Sequence, residues 1–296
     1  MKTLKKHIRR LLFKFIHQQW NIAIAELNTD LTLKNVRWLK HAYSDRWFAD
    51  PFIIAETKDM FTVLVEEYMR DEKKGRIACL TISKKDCSLF DNKTILDLPS
   101  HLSFPIYMIS GNHIYVYPEN GASGKTMYYE FKENSLNNPK LFSELPLADP
   151  VVFYQNDSYY LLYTIGDKGC NGNELLISIA DKPMGPYTPY ASAIFEDNIA
   201  RRAGNIFEWN GRLISPAQVC NKQYGEGVSL QEIIFDDSKH IKFKEIKRLY
   251  PFNKEYSEGL HTYNVFNNYV VIDGYKYNSP FLRRAYYFFR SFLNKI

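Results

Sequence analysis

The chain carries the tripeptide Ala-Asp-Pro twice, and each copy stands ahead of two strand-like apolar runs. The first copy lies in WFADPF and contains Asp50, and the second lies in LADPVVF and contains Asp149. Two carboxylates that flank one bond are what acid–base chemistry at a glycosidic bond requires. An aspartate at a tight strand entry can also act only as a cap that accepts backbone N–H groups. The matching positions of the two copies favour a functional pair.

The Ala-Asp-Pro segments belong to a unit that occurs five times. Each unit has a polar or aromatic lead, an apolar run, a turn containing Asn, Asp or Gly, and a second apolar run, which is typical of a β-hairpin. Each interval leaves room for two further strands, and four strands in about 40–50 residues is typical of one propeller blade. The five units span residues 48–68, 102–120, 147–164, 202–219 and 259–275.

We therefore predict an all-β fold, a five-bladed β-propeller over residues 21–280, with short basic amphipathic helices at residues 1–20 and 281–296. A large β-sandwich with chance self-similarity is the alternative. The innermost strand of each blade should line a central channel, and the residue just before that strand should face its mouth. The residues expected around this funnel are Asp50, Ser103 or Phe104, Asp149, Arg201 or Arg202, and His261.

Positive charge is concentrated at the two ends of the chain. Residues 1–20 hold six Lys or Arg, residues 281–296 hold four, and neither segment has an acid, whereas the whole chain is +5. Leu, Ile and Phe recur there at helical spacing, which is typical of helices that lie on an anionic membrane surface. We predict a cytoplasmic protein, peripheral on the inner face of the membrane. Two helices packed on the body, with solvated charged faces, are the alternative.

The sequence lacks the motifs of several other classes of protein. The four cysteines show no Cys-x-x-Cys pair and no metal-binding spacing, which favours a reducing compartment. No apolar run reaches the roughly 18 residues of a spanning helix, and the N-terminus does not fit a secretory signal. Nucleotide-binding glycine motifs and nucleic-acid motifs are missing. No nucleic-acid partner is expected, no metal ligand is assigned, and the cofactor stays unknown.

The two Ala-Asp-Pro leads, in the first and third of five units, resemble the propeller clan of arabinanases, β-xylosidases and fructan-processing enzymes. The resemblance implies that Asp50 is a base or nucleophile and that Asp149 positions the sugar and tunes the acid. It also implies a Glu from a later blade as general acid.

A second resemblance covers nearly all of residues 45–275. It rests on ten motifs in order, which include FADPF, EEY, HLSFP, YPEN, ADPVVF, RRAGNIF, SPAQVCNKQYG and GLHTYN. Together they are similar to the N-terminal domain of glucosamine inositolphosphorylceramide transferases and to bacterial relatives encoded among surface-polysaccharide genes. The resemblance implies work on glycans, with an activated sugar donor and a glycan or lipid-linked acceptor as partners.

One departure separates the chain from the hydrolases of the clan. They usually carry Glu-Gly-Pro at the fourth lead, and here this place has Arg201 and Arg202. A funnel arginine can hold a phosphate by two parallel hydrogen bonds, so one of these two is expected to bind a donor phosphate and the other to be a surface charge. Glu119, Glu226 and Glu258 are the substitutes available for the missing acid.

The remaining predicted site residues have weaker signals. His261 is either a funnel acid–base group or a structural residue, and Trp47 is placed to stack on a sugar ring. Predicted substrate contacts are Trp47, Glu67, Ser103, Arg201, Arg202, Gln218, Tyr224 and Glu258, and predicted catalytic residues are Asp50, Asp149, His261 and Glu119.

The sequence predicts a glycosyltransferase-like enzyme of cell-surface polysaccharide or glycolipid synthesis that uses a phosphate-activated donor. A glycoside hydrolase and a non-catalytic glycan-binding propeller are the alternatives.

Overall fold

The computed structural model describes residues 17–165, 172–236, 240–279 and 281. They form twenty strands in five four-stranded antiparallel sheets, so the predicted five-bladed propeller is confirmed. Blade one contains β3 (Arg46–Glu56), β4 (Met60–Met69), β5 (Lys74–Ser83) and β6 (Leu89–Leu96). Blade two contains β7 (Tyr107–Ser110), β8 (His113–Val116), β9 (Thr126–Lys132) and β10 (Ser135–Ser143).

The next two blades repeat this order along the chain. Blade three contains β11 (Leu147–Gln155), β12 (Ser158–Ile165), β13 (Glu174–Ala180) and β14 (Thr188–Ile194). Blade four contains β15 (Phe207–Trp209), β16 (Arg212–Val219), β17 (Gly227–Phe235) and β18 (Ile241–Leu249). In each blade the hairpin found in the sequence supplies the first two strands.

Blade five closes the ring by joining the two ends of the chain. Its sheet order is β19 (Tyr263–Phe266), β20 (Tyr269–Tyr277), β1 (Gln18–Leu27) and β2 (Leu33–Trp38). The β1–β20 ladder runs without a break from Gln18 opposite Tyr277 to Glu26 opposite Tyr269. This pairing holds the ring shut by backbone hydrogen bonds, and it makes residues 18–20 strand rather than the end of the predicted helix 1–20.

Apolar side chains fill the spaces between neighbouring blades, because each sheet buries both faces against the next sheet. One large cluster joins blades one, two and three, with Phe52 edge-on to Phe104 at 5.1 Å. Three smaller clusters join blade five to one, four to five, and three to four. The ring is thus a rigid frame for the residues at its centre.

The remainder of the two predicted terminal helices, residues 1–16 and 282–296, lies outside the described residues. Among the described residues, no helix has the length and apolarity needed to cross a membrane.

Candidate active site

Both Asp-Pro pairs form β-bulges, and they lie inside the innermost strands rather than ahead of them as predicted. In β3, Ala49 pairs with Glu66 and Phe52 pairs with Leu64, so one extra residue sits between them, and β11 repeats this irregularity between Ala148 and Val151. Asp50 and Asp149 have φ angles of 50° and 42°. Left-handed backbone at a non-glycine residue is costly and clusters at functional sites, and a bulge re-aims the side chain that it carries.

Backbone N–H groups at the leads bind carboxylates that belong to the preceding blade. The Asp50 N–H donates to Asp273 at 3.1 Å, and the N–H of Phe104, whose φ is 46°, donates to Asp50 at 2.9 Å. The Asp149 N–H donates to Glu119 at 3.0 Å. The three left-handed leads therefore tie blades five, one, two and three together, and both aspartates reach the centre of the ring. The capping role that the sequence left open is present at Asp50, whose carboxylate accepts the Phe104 N–H, whereas the Asp149 carboxylate accepts side-chain donors from Arg201 and Gln218.

His261 lies between two of these carboxylates. Its Nε2 is 3.1 Å from Asp50 Oδ1 and its Nδ1 is 2.7 Å from Asp273 Oδ2, with all three residues buried. Burial opposes charge on His261, but Asp273 and Asp50 outweigh it and raise the pKa of the imidazole well above its usual range. Burial likewise opposes charge on Asp273, yet His261 and the backbone donors lower its pKa. The sequence did not predict Asp273.

The same three residues offer ligand atoms within 4.8 Å of one another, the only such grouping among the described residues. Asp273 already accepts the N–H groups of Asp50, His261 and Thr262. A metal there would have to displace the His261 proton, because imidazole binds metals only in its neutral form. The raised pKa of His261 opposes that exchange, so the imidazolium itself balances the charge.

Arg201 joins two further carboxylates at the centre. It donates to Asp149 through Nε and to Glu119 through its terminal nitrogen at 2.8 Å, and Gln218 also donates to Asp149. Burial raises the pKa of Asp149 to about 7, with Arg201 opposing the shift and the charge of Glu119 adding to it. The positive charge of Arg201 is therefore used within the protein, which disagrees with its predicted role as a free phosphate-binding cation.

Arg202 is a core residue rather than a funnel or surface residue. It is fully buried and donates to Ser215 and Gln231 at 3.0 Å each, and to the carbonyls of Ala200 and Ile199. The two arginines lie in the segment between β14 and β15, where the side chain of Arg202 enters the core and that of Arg201 reaches Glu119 and Asp149. The predicted substrate contact of Arg202 is wrong because its donors are all engaged inside blade four.

Replacing Arg202 by Met should lower the free energy of unfolding by about 2–3 kcal/mol, because buried acceptors lose a charged donor. Urea unfolding measures this, with Arg212→Met, at a half-exposed arginine, as the control. An Arg202→Met protein as stable as the parent would contradict the structural role.

A cavity of about 940 Å³ opens above the His261 cluster. Aromatic rings form its walls: Trp47 and Tyr68 stack at 4.4 Å with an interplanar angle of 4°, and Trp20 lies 4.3 Å from the His261 ring. The lining residues are His17, Gln18, Trp20, Trp47, Ala49, Glu66, Tyr68, Arg70, Lys73, His101, Tyr224 and His261. Flat aromatic walls are typical of small-molecule sites and suit the apolar faces of sugar rings, and the polar residues of the lining can bind sugar hydroxyls.

Glu66 is the one acidic residue among those lining the cavity, and the sequence analysis missed it. It is 5% exposed, and its Oε1 lies 3.4 Å from Nε2 of His101. His101 Nδ1 accepts the N–H of Gly75, so the other ring nitrogen carries the proton and faces Glu66. A Cβ at residue 75 would lie 2.5 Å from Glu66 Oε1, so the site requires glycine there. Burial, then the charge of Asp50, raises the pKa of Glu66 well above its usual range.

The sequence analysis predicted Glu67, the neighbour of Glu66, as a substrate contact. Glu67 is fully buried on the other face of β4, where it binds Arg46 at 2.8 Å, Arg76 at 2.7 Å and Asn92 at 2.7 Å. These partners leave it no part in the cavity. The predicted contact through Glu67 is therefore replaced by Glu66.

The other predicted residues divide between the cavity and its support. Trp47, Tyr224 and His261 line the cavity, whereas Ser103 pairs with Glu119 through backbone hydrogen bonds of 2.9 and 3.2 Å. Glu258 does not line it. Asp50, Asp149, Gln218 and Glu119 do not line it and belong to the hydrogen-bonded groups around His261 and Arg201. Their predicted catalytic and binding roles stay predictions.

Five four-stranded blades around a funnel of buried carboxylates place the chain in the class of five-bladed β-propellers. Among solved structures it is similar to a thermostable family-43 glycoside hydrolase, with 17% identity, a TM-score of 0.55 and coverage of 81% of this chain and 90% of that one. It is also similar to an α-L-arabinanase of Cellvibrio cellulosa, with 11% identity, a TM-score of 0.51 and coverage of 71% and 85%. At such identities the likeness shows the fold alone.

Residues 20–273 match the family model described as glucosamine inositolphosphorylceramide transferase 1, N-terminal, and the chain belongs to that family. It is 25% identical over 199 residues to the protein of that name from Oryza sativa subsp. indica, which covers 64% of this chain and 27% of the relative. The Arabidopsis thaliana protein is 23% identical over 231 residues, 74% of this chain and 29% of the relative. The family resemblance seen in the sequence is thus confirmed, and the chain spans little more than a quarter of these curated relatives.

Proposed function

We propose that the protein is a glycosyltransferase-like enzyme that moves a sugar from a phosphate-activated donor to a glycan or lipid-linked acceptor in its funnel. The observation that carries this is Glu66, a buried carboxyl with a raised pKa at the base of an aromatic-walled cavity. A carboxyl whose pKa lies near the working pH is suited to proton transfer at a glycosidic centre. The transferase names of the two plant relatives support transfer over other sugar chemistry.

In the proposed reaction the bond between the sugar and the phosphate oxygen breaks, and a bond forms to the oxygen of the acceptor hydroxyl. Glu66 gives its proton to the departing phosphate oxygen and receives the proton of the acceptor hydroxyl in return. Asp50, which faces His261 beneath the cavity, supplies negative charge near the oxocarbenium-like centre. Fixed charges of this kind stabilise a transition state without reorganisation, because the protein already holds them in place.

Asp50 does not serve as the direct base in this proposal, because both of its oxygens are engaged. One accepts the Phe104 N–H and the other faces His261. Its role is to hold His261 at the cavity floor and to raise the pKa of Glu66.

The proposed setting is synthesis of cell-surface polysaccharide or glycolipid, at the inner face of the membrane. The basic, apolar ends of the sequence support this setting, since they would bring the funnel close to a lipid-linked acceptor. Flotation of the full chain with anionic and neutral vesicles tests it, and equal recovery in both fractions would count against membrane contact.

Purified protein incubated with sugar nucleotides and polyprenyl-phosphate sugars, with and without glycan acceptors, tests the reaction. Acceptor-dependent product that depends on Glu66 supports transfer. Hydrolysis is the second candidate, because the same carboxyl could protonate a glycosidic oxygen with water as acceptor. Release of nitrophenol from aryl glycosides, with no acceptor-dependent product, would favour it. No turnover on either set would favour a binding propeller.

Replacing Trp47 by Ala should weaken sugar binding about tenfold, because the wall formed with Tyr68 loses its exposed ring. Isothermal titration with the sugar that supports turnover measures the affinity. Tyr154→Ala, at an exposed tyrosine on blade three, is the control. Unchanged affinity in Trp47→Ala would exclude stacking on this wall.

A further inference from the structure

The residues that line the cavity change from acidic at its base to basic at its mouth. Glu66 and Tyr68 stand two residues apart at the end of β4 and share one face of the strand, Arg70 is the first residue of the turn that follows, and all three line the cavity. Glu66 is buried whereas Arg70 is half-buried, so an acid lies at the base, an aromatic ring in the wall and a guanidinium at the mouth. Lys73, in the turn between β4 and β5, adds an exposed ammonium group at this mouth.

The positive charge at the mouth has no acid to balance it. Within the described ranges, no carboxylate lies within 4.0 Å of Arg70 or Lys73, although Arg46, Arg76 and Arg201 are all paired with acids. Among the described residues, the side chain of Arg70 contacts Nε2 of His17 at 3.0 Å, and the imidazole of His17 cannot neutralise a guanidinium. The Nε of Arg70 is buried and makes no hydrogen bond to the described residues.

We propose that Arg70 and Lys73 form an anion subsite that takes a phosphate or diphosphate group carried on the sugar. The proposal rests on the proposed function for the sugar, and it assigns to Arg70 the phosphate contact that Arg201 cannot make. Guanidinium groups bind phosphate oxygens through charge-assisted hydrogen bonds, and the terminal nitrogens of the half-buried Arg70 would supply these beside the ammonium group of Lys73. The group would be part of a soluble sugar nucleotide or of a lipid-linked sugar phosphate.

Titration of the full chain with pyrophosphate and uridine diphosphate, beside a short-chain phosphatidic acid below its micelle concentration, tests the subsite. Arg70→Gln with Lys73→Gln is expected to weaken binding by about 10- to 100-fold. Arg70→Lys should bind with intermediate affinity, because it keeps the charge and loses the planar donor pair. Lys58→Gln with Arg212→Gln removes two charges away from the cavity and should bind like the parent. Preference for the soluble or the lipid probe identifies the source of the phosphate.

Equal binding by the parent and the Arg70–Lys73 double variant would overturn the subsite, and so would a parent that binds none of these probes. The thermal midpoint of each variant shows that it is folded. The proposed function is tested separately. If Glu66→Gln loses turnover while the Arg70–Lys73 variant keeps it, the subsite is rejected and the proposed reaction stands. No turnover in any of the proteins, with phosphate binding intact, removes the reaction and leaves the subsite.

Discussion

Replacing Glu66 by Gln is expected to lower turnover by about 100- to 10,000-fold with little change in KM, because the amide keeps the shape of the carboxyl and cannot transfer a proton. The measurement is initial rate against donor concentration for whichever donor supports turnover. Glu72→Gln, at an exposed glutamate of the nearby β4–β5 turn, is the control and should keep the parent rate. A Glu66→Gln enzyme with the parent rate would remove Glu66 from the chemistry.

The pH dependence separates a catalytic Glu66 from a structural one. The reaction needs the protonated carboxyl, so the activity of the parent should fall as the pH rises through the raised pKa of Glu66. The residual activity of Glu66→Gln should lack this fall. If the activity of both proteins falls at the same pH, a group other than Glu66 causes the fall.

Stability gives a test of Glu66 that needs no substrate. Above its ordinary pKa of 4.5, the unfolded chain releases the Glu66 proton while the folded chain retains it, because burial raises the folded pKa. Rising pH therefore destabilises the parent until Glu66 ionises in the folded state too. Glu66→Gln lacks this loss, so its thermal midpoint should rise relative to the parent as the pH is raised above 4.5, until Glu66 ionises in the folded state. A constant difference across that range would mean that the pKa of Glu66 is not raised.

The arrangement of blades could be predicted from the sequence because the same hairpin pattern recurs once in each blade. Turn residues between β-rich runs mark the hairpins, and the two Asp-Pro pairs mark equivalent points of blades one and three. The convergence of Asp50 and Asp149 follows from this ring. The positions of Asp50 and Asp149 inside the bulges of β3 and β11 do not follow from it. These bulges depend on the pairing with β4 and β12, which the spacing of the repeats in the sequence does not specify.

Which neighbour faces the cavity could not be predicted, because strands alternate and a shift of one residue exchanges the two faces. This explains why Glu66 rather than Glu67 faces the cavity, whereas Arg201 and Arg202 lie between β14 and β15, where alternation gives no rule. The alternation of Glu66 and Tyr68 offered a signal, since both lie on one face of β4 and line the cavity, whereas Glu67 lies between them on the other face. The role of Asp273 could not be predicted from its local sequence, because it depends on the contact with His261, which only the folded chain creates.

Replacing Asp273 by Asn is expected to lower the free energy of unfolding by about 3–5 kcal/mol, the usual cost of removing one partner from a buried ion pair. Asp273 accepts three backbone N–H groups and faces His261 at 2.7 Å. An amide offers one acceptor oxygen in place of two and turns its own N–H groups toward donors. Urea unfolding should show a lower midpoint with an unchanged slope, and Asp71→Asn, at an exposed aspartate, should match the parent.

The dependence of this loss on pH follows from the two pKa shifts. His261 has a raised pKa, so its contribution is complete below its ordinary value of 6.5 and is lost as the pH rises through the folded value. Asp273 has a lowered pKa, so its contribution is complete above 3.8 and is lost as the pH falls through the folded value. The difference between parent and Asp273→Asn should therefore be largest between about pH 4 and pH 6.5. A His261→Gln partner variant should make the two losses less than additive, and simple additivity would mean that the two side chains stabilise the ring independently.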